Sequence, residues 1–365
     1  MEYRTKSIFG KYAEQLQVLV DLNVEKFKEP FFPKYFSMGS PQVGLTYATA
    51  IGKARIEAAA SVVSHGAEAP LRGRAGLDKL TGEVAAIKVK RRLDEKDYRE
   101  YLTLQAMSAA DEVKKSQILQ LIYDDVKYVN DSVMSRVDIM AAQALSRGII
   151  PINATTNPDG IVDGDIDLLV PSDHKEHGGD AFGWDNDNRF WGTAATATPI
   201  SDIRKLVQDA WNNDGRVFDR VLMTPSKWWD VQKSKEVTDA FDGLPTLDNF
   251  NSFLQSQQLP IIELVNVRAK IEKDGKLSTV KTWEDDKYVT FVPEGDLGKI
   301  HNAIAIEQIQ PVANVNYAVS NNVLISKWSQ TEPFGEYTRG EISAFPGLEV
   351  ADTMHIVNVQ HRSSF

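Results

Sequence analysis

Apolar residues recur along one stretch of the chain with the regularity of a helix face. Ile118, Ile122, Val126, Val129, Val133, Val137, Met140 and Ala144 are separated by steps of four, four, three, four, four, three and four. Those steps hold one stripe on one side of a 3.6-residue turn, so the spacing predicts a helix over about 116–147. Gly148 follows as a natural C′ residue, and the charge of Arg147 suits the negative end of the helix dipole. At 1.5 Å per residue the helix would be about 45–50 Å long, far beyond the usual three turns or so. No proline between Pro70 and Pro151 interrupts it. A helix of this length with one narrow stripe is a spine across a sheet or a coiled-coil arm.

Two other stretches switch to a period of two. Ala54, Ile56 and Ala58 alternate with Lys53, Arg55 and Glu57, and Ile87, Val89 and Arg91 alternate with Lys88, Lys90 and Arg92. The pattern predicts strands over about 46–60 and 83–92. Gly66, Pro70, Gly73, Gly76 and Gly82 mark a loop between them, so the expectation is one long hairpin with a glycine-rich tip. A two-stranded ribbon is marginal alone in water. With mostly alanine to bury, this one is expected to lie on something else, a hint of subunit contact.

Ahead of the hairpin, residues 7–27 read as amphipathic helix pieces, and Pro30-Phe31-Phe32-Pro33-Lys34-Tyr35-Phe36 reads as an extended, anchored arm. Its aromatics suit the subunit's own core and a neighbour's surface equally well. After the spine, short strands end near Val170 and a polar loop covers about 172–189. Ser201 is expected to cap a helix with Ile203, Leu206, Val207, Ala210 and Trp211 on one face. A buried strand over 217–223 and a helix opened by Pro225 follow, an alternation that makes a compact second domain. Lys273-Asp274-Gly275-Lys276 reads as a hairpin turn between strands over 265–272 and 277–283. Further strands are expected over 288–292, 303–306 and 339–359, the last broken at Pro346-Gly347.

Composition narrows the function classes. The 365 residues are 42% hydrophobic and 25% charged, with 41 Lys and Arg against 51 Asp and Glu, a net charge of −10. That is an ordinary globular composition of about two domains, and the charge disfavours a uniformly basic nucleic-acid binder. The chain has no cysteine, which excludes disulfides, thiolate nucleophiles and cysteine zinc sites. No signal peptide and no apolar run of bilayer-spanning length are apparent, so no membrane partner is expected.

Candidate chemistry is sparse. Gly10-Lys11, Gly52-Lys53, Gly275-Lys276 and Gly298-Lys299 all lack the following hydroxyl of a nucleotide loop. Neither an HExxH helix nor a GxSxG elbow occurs. Asp173, His174 and His177 are the best metal candidate, weakened by Gly178-Gly179 and a polar loop. Asp163, Asp165 and Asp167 imitate the start of a calcium loop, but Leu168 and His174 stand where Gly and Glu are needed. Lys88, Lys90, Arg91 and Arg92 form the one dense basic cluster, followed at once by Asp94, Glu95 and Asp97. A solvated face, or pairing with carboxylates, is favoured there over phosphate contact.

The order of these elements resembles the major capsid proteins of tailed bacteriophages, and more narrowly the lambda-type major capsid protein E family. The residues carrying the resemblance begin with Asn23 to Phe27, Phe31 to Phe36 and the hairpin from Ala54 to Arg92. They continue with Ser135 to Leu145, Trp191, Pro199 to Ile203, Val221 to Met223 and Lys227-Trp228-Trp229. The resemblance implies an α+β fold of the Hong Kong phage type with four parts. These are an N-terminal arm over 1–45, an extended hairpin over 46–92, a peripheral domain over 93–190 and 311–365, and an inserted axial domain over 191–310.

It further implies a structural protein that assembles with itself into hexamers and pentamers of an icosahedral shell. The shell encloses double-stranded DNA without sequence-specific binding, and the protein resides in virions assembled in the bacterial cytoplasm. Scaffolding, portal and decoration proteins stay open as further partners. Intersubunit contacts are expected at Phe31, Phe32, Arg55, Glu57, Arg72, Arg74, Lys88, Lys90 and Arg92. No catalytic residue, cofactor or metal is implied. Some members of the fold join a lysine to an asparagine; Lys79 lies near the hairpin tip, but nothing selects an asparagine, so no crosslink is expected. An encapsulin-like cellular compartment shell is an alternative, and a metal-dependent hydrolase on Asp173, His174 and His177 a much weaker one.

Overall fold

The computed structural model describes the chain apart from residues 1–3, 6, 11–13, 52–77, 107–110, 154, 159–163, 186–188, 268, 274–275, 281, 284–286 and 361–365. Two sheets, each with its own apolar core, organise it. In the first, the 15-residue strand Phe334–Leu348 is central. On one side it pairs antiparallel with Val323–Thr331, from Leu324 opposite Glu341 to Thr331 opposite Phe334. On the other side it pairs with Ala86–Leu93, from Leu93 opposite Glu336 to Ala86 opposite Ser343, and its last residues, Ser343–Leu348, pair with Gly298–Ala303 on the side away from Ala86. Arg4–Thr5, Asn316–Ser320 and Phe36–Met38 complete seven strands. Pro346-Gly347 does not break the long strand as expected, because both residues are held in register opposite Ile300 and Lys299.

The spine helix lies across this sheet. It runs over Asp111–Arg147, five residues longer at its start than the apolar stripe indicates, and ends as read, with Gly148 at φ +68° donating its N–H to Ala144 at 3.0 Å. From Ile122 onward every stripe residue is buried. Each buried valine contributes up to about 1.5–3 kcal/mol. Close approach of helix and sheet depends on Gly340: a Cβ there would meet the Val129 carbonyl oxygen at 2.9 Å.

The expected hairpin is re-paired. Thr46–Ile51 pairs with Asp78–Glu83, not with the basic strand. Ala86–Leu93 instead joins the first sheet, with Ser343 opposite Ala86 and Glu336 opposite Leu93. Val84 and Ala85 make the change of partner, Val84 N–H donating to Leu45 at 2.8 Å and the Ala85 carbonyl accepting from Ala344 at 3.1 Å. The alternation along 86–93 belongs to a sheet edge: Ile87 and Val89 pack against the core, while Lys88, Lys90 and Arg92 are exposed. Residues 7–27 hold only a short helix, Leu16–Asp21, and a single turn, Val24–Lys26, among the described residues. The arm contains a helical turn at Phe32–Lys34 before Phe36–Met38 becomes a strand.

The second sheet has the order Ile261–Leu264, Arg220–Met223, Tyr288–Val292, His355–Asn358, Lys175–His177. The first two are parallel, joined through helices Pro225–Lys233, Lys235–Phe241 and Leu247–Ser256. Two of these helices are capped locally: Thr224 accepts from Lys227 N–H at 3.2 Å and Thr246 from Asn249 N–H at 3.3 Å. Pro225 opens its helix as read. The preceding helix starts at Pro199 with Thr198 as cap residue, so Ser201 lies inside it. Strands at Ala269–Lys273 and Lys276–Val280 pair Lys273 with Lys276, as the turn sequence indicates. The expected strand over 303–306 ends at Ala303, and Ile306–Ile309 is a helical turn.

The sheets do not respect the sequence boundaries. Gly298–Ala303 lies in the first sheet, whereas Lys175–His177 and His355–Asn358 lie in the second. Each core is therefore closed by segments remote in the chain.

Candidate assembly interface

The arm is fixed to its own subunit at three points. Asp138, buried on the spine, accepts N–H donation from Phe31 at 2.8 Å and Phe32 at 3.1 Å, with Lys28 Nζ at 3.9 Å. Burial pushes the Asp138 carboxyl up to about 6, against the opposing effect of those two N–H groups. Lys34 Nζ at 2.6 Å and the Tyr35 hydroxyl at 2.5 Å both meet Oε1 of Glu263, which ties the arm to the second sheet. Burial works against ionisation of Glu263, but the bonds from Lys34 and Tyr35 outweigh it and hold its carboxyl below the usual range.

The third point is a buried ion pair. Lys327 and Glu336 are fully enclosed, 3.6 Å apart, with Lys327 Nζ donating to Thr338 at 2.9 Å. Glu336 also accepts from the Ser7 hydroxyl and, at 3.0 Å, from Ile8 N–H. Desolvation drives the Lys327 ammonium below its ordinary value and raises Asp125 nearby. Such a pair contributes little net stability but is costly to break on one side only.

These contacts decide the arm's aromatics. Phe32, Tyr35 and Phe36 are buried in the first core and Phe31 packs against it at a ring separation of 5.0 Å from Tyr35. Phe32 is thereby buried inside its own subunit. The sequence could not separate burial there from contact with a neighbour, because an aromatic-proline run is equally suited to either.

Of the remaining expected contact residues, Arg55, Glu57, Arg72 and Arg74 lie outside the described residues. Lys88, Lys90 and Arg92 share one face of the edge strand. Lys88 Nζ meets Glu341 of the same chain at 2.8 Å, and Lys90 Nζ sits 5.0 Å from the Tyr337 ring centre. Arg91, on the opposite face, reaches Asp125 at 3.3 Å and the Tyr128 ring at 4.9 Å. The basic cluster is thus partly neutralised within the subunit. Lys79 lies in the strand Asp78–Glu83 opposite Ala50.

The metal candidates do not converge. His174 is buried and its ring stacks on His355 at 5.6 Å, while Asp173 is exposed. His355 Nδ1 lies 3.3 Å from Arg216 and Nε2 lies 3.0 Å from Glu176. A guanidinium only donates, so Nδ1 accepts and Nε2–H is directed at Glu176. Among the described residues no group of three or more ligating side chains could hold a metal ion. Burial, then Arg216 and His355, lower His174 below the usual histidine range.

Among the described residues the second core has one buried carboxylate of its own. Asp202 accepts from the indoles of Trp191 at 2.9 Å and Trp184 at 3.1 Å, and burial lifts it to about 6 against those bonds. Trp184 in turn fills the space over Gly178, where a Cβ would lie 2.1 Å from the ring. The sequence marks Ser201 as the cap; the signal missed was the pair of tryptophans preceding an aspartate in the first helical turn.

A two-stranded ribbon rooted on the first sheet, a spine helix across that sheet and a second cored unit make up a fold similar to that of phage capsid subunits. The family described as phage major capsid protein E matches residues 31–355, and the chain belongs to that family. It is a structural protein of the phage capsid shell. A candidate capsid protein of a prophage of E. coli CFT073 is similar in structure at a TM-score of 0.54 and 15% identity, over 98% of this chain and 99% of that one. A phage-related protein from Bordetella bronchiseptica RB50 is similar at 0.51 and 9%, over 100% of both. No curated protein sequence matches the chain. Among the described residues no helix is long and apolar enough to cross a membrane.

Proposed function

We propose that the protein assembles with itself into hexamers and pentamers of an icosahedral shell around double-stranded DNA, in virions built in the bacterial cytoplasm, and that it performs no catalysis. One observation carries this reading. The ribbon Thr46–Ile51 with Asp78–Glu83 forms a sheet of two strands paired to no third among the described residues, and it is too small to be stable unaided. Tyr47, stacked 4.7 Å from Phe345, and buried Val84 root it in the first core. Its far end, leading to residues 52–77, is the part that reaches over an adjacent subunit. The second core is the axial unit, and the spine and first sheet are the peripheral one. Scaffolding, portal and decoration proteins are the further partners of such a shell. A net charge of −10 keeps the subunit from adhering broadly to packaged phosphates.

Expression of the chain alone, followed by mass photometry and negative-stain microscopy, tests the reading. Rings, tubes or closed shells are expected. Deleting residues 64–77 should leave a folded subunit that no longer assembles; intact shells from that deletion would overturn the role given to the hairpin.

A further inference from the structure

Ala86–Leu93 forms the margin of the first sheet. Its one ladder is to Phe334–Leu348, so alternate peptide groups face away from the sheet, and among the described residues none of them has a backbone partner on that side. A groove of about 910 Å³ runs along this free margin. Its walls are the spine helix at Tyr128 and Arg136 and the hairpin Ala269–Lys273 with Lys276–Val280 at Lys270 and Leu277. Six of its lining side chains are cationic, against the carboxylates of Asp124, Asp131 and Glu272. Lys90 and Lys270 are exposed and have no carboxylate partner among the described residues.

Free sheet margins invite an added strand, and lysines on them turn away indiscriminate apolar ones. Here the lysines also select by charge. The geometry points to an acidic, extended segment of a second protein, added as a further strand to Ala86–Leu93. Main-chain bonds supply affinity, and alternate side chains supply specificity. Apolar residues on one face of the incoming strand meet Ile87, Val89 and Leu277, and carboxylates on its other face meet Lys88 and Lys90. A second copy of this chain is a poorer fit. Its described acidic strand, Gly164–Asp167, spans four residues and has Ile152 to Ile149 as partners already, against the eight residues of the free margin. Duplex DNA fits less well still, since phosphates use only donors and the margin presents donors and acceptors in alternation. The inference rests on the capsid reading only for its setting, a subunit that meets other phage proteins, and it is tested on the unassembled subunit.

The probe is a blocked eight-residue peptide alternating glutamate with valine, measured by calorimetry and amide hydrogen exchange on the full chain. The peptide should bind at least tenfold more tightly than its lysine–valine counterpart and than a glutamate–glycine peptide of equal charge. It should slow exchange of the amides in 86–93 and lose about tenfold in affinity in the Lys90→Glu, Lys270→Glu double variant, whose exposed sites leave folding intact by circular dichroism. Equal binding of the glutamate–glycine peptide, protection elsewhere, or a DNA duplex that displaces the peptide would each overturn the inference. So would self-association that protects 86–93 and that the peptide does not reverse. A chain that forms shells yet ignores the peptide loses this inference alone; a chain that binds the peptide yet never assembles loses the shell reading alone.

Discussion

The two cores solve the same problem with different materials. The second is an aromatic interior with two helices each capped by the residue just before it, and Asp202, its one buried carboxylate among the described residues, is hydrogen-bonded by two indoles. The first encloses Lys327, Glu336 and Asp125 and is closed by strands that lie more than two hundred residues apart. Long-range pairing closes both cores, but local caps and indole bonds reinforce the second where buried charge reinforces the first. The first therefore relies on groups that tolerate no partial loss, because a buried charge without its partner is far more costly than a missing apolar contact.

The sharpest way to break this contrast is Val133→Asp, which puts an unpaired carboxylate where the spine crosses the first sheet. A loss of about 3–5 kcal/mol is expected, read by urea unfolding; a melting temperature near that of the parent would refute the placement. Lys327→Met should cost about 3 kcal/mol or more by stranding Glu336, and the double change with Glu336→Gln should recover much of it. If the double variant is no better than the single one, the pair is not the reason. In the second core, Asp202→Ala leaves two indole N–H groups unpaired and should cost about 2 kcal/mol, with a shifted tryptophan emission that Asp202→Asn largely restores.

A pH-dependent effect separates buried from exposed charge. Asp138 and Asp202 each have a folded-state value near 6, above the ordinary aspartate range, so the folded protein holds more protons than the unfolded one between about pH 4 and 6. Their contribution is present in full below the unfolded value and is lost as pH rises through 6, at most about 3 kcal/mol each for a rise from about 4 to about 6. Asp138→Asn should flatten its share of that slope while still accepting from Phe31 and Phe32; an unchanged profile would assign the slope elsewhere. Smallest of all, Lys88→Ala should change stability by less than about 1 kcal/mol, because its bond to Glu341 lies half in solvent.

The same contrast explains what could be read before folding. The spine helix, its Gly148 terminus, the Pro225 helix and the turn between Lys273 and Lys276 are all written in residues a few positions apart, and their locations were legible. The partner of the basic strand was not. Its alternation suits any edge, and a ribbon and a sheet margin differ only in which remote segment lies alongside. Pro346-Gly347 reads as a break for the same reason, since only the opposite strand holds it straight. Of the candidate contact residues, Lys88, Lys90 and Arg92 were correctly seen to share a face, but Glu341 and Tyr337, which occupy two of them, lie some 250 residues away.

The bond from Ser7 to Glu336 joins residues 329 positions apart. A ribosome adding roughly 5–20 residues per second needs about 16–65 s to cover that interval. Through that interval the emerged arm has no Glu336 to hold it, and the central strand of the first sheet does not yet exist. Closure of that sheet therefore reports that translation has passed the central strand, Phe334–Leu348. A truncated product would present an unfinished sheet with a loose arm, so the fold itself inspects chain length before a subunit can join a lattice.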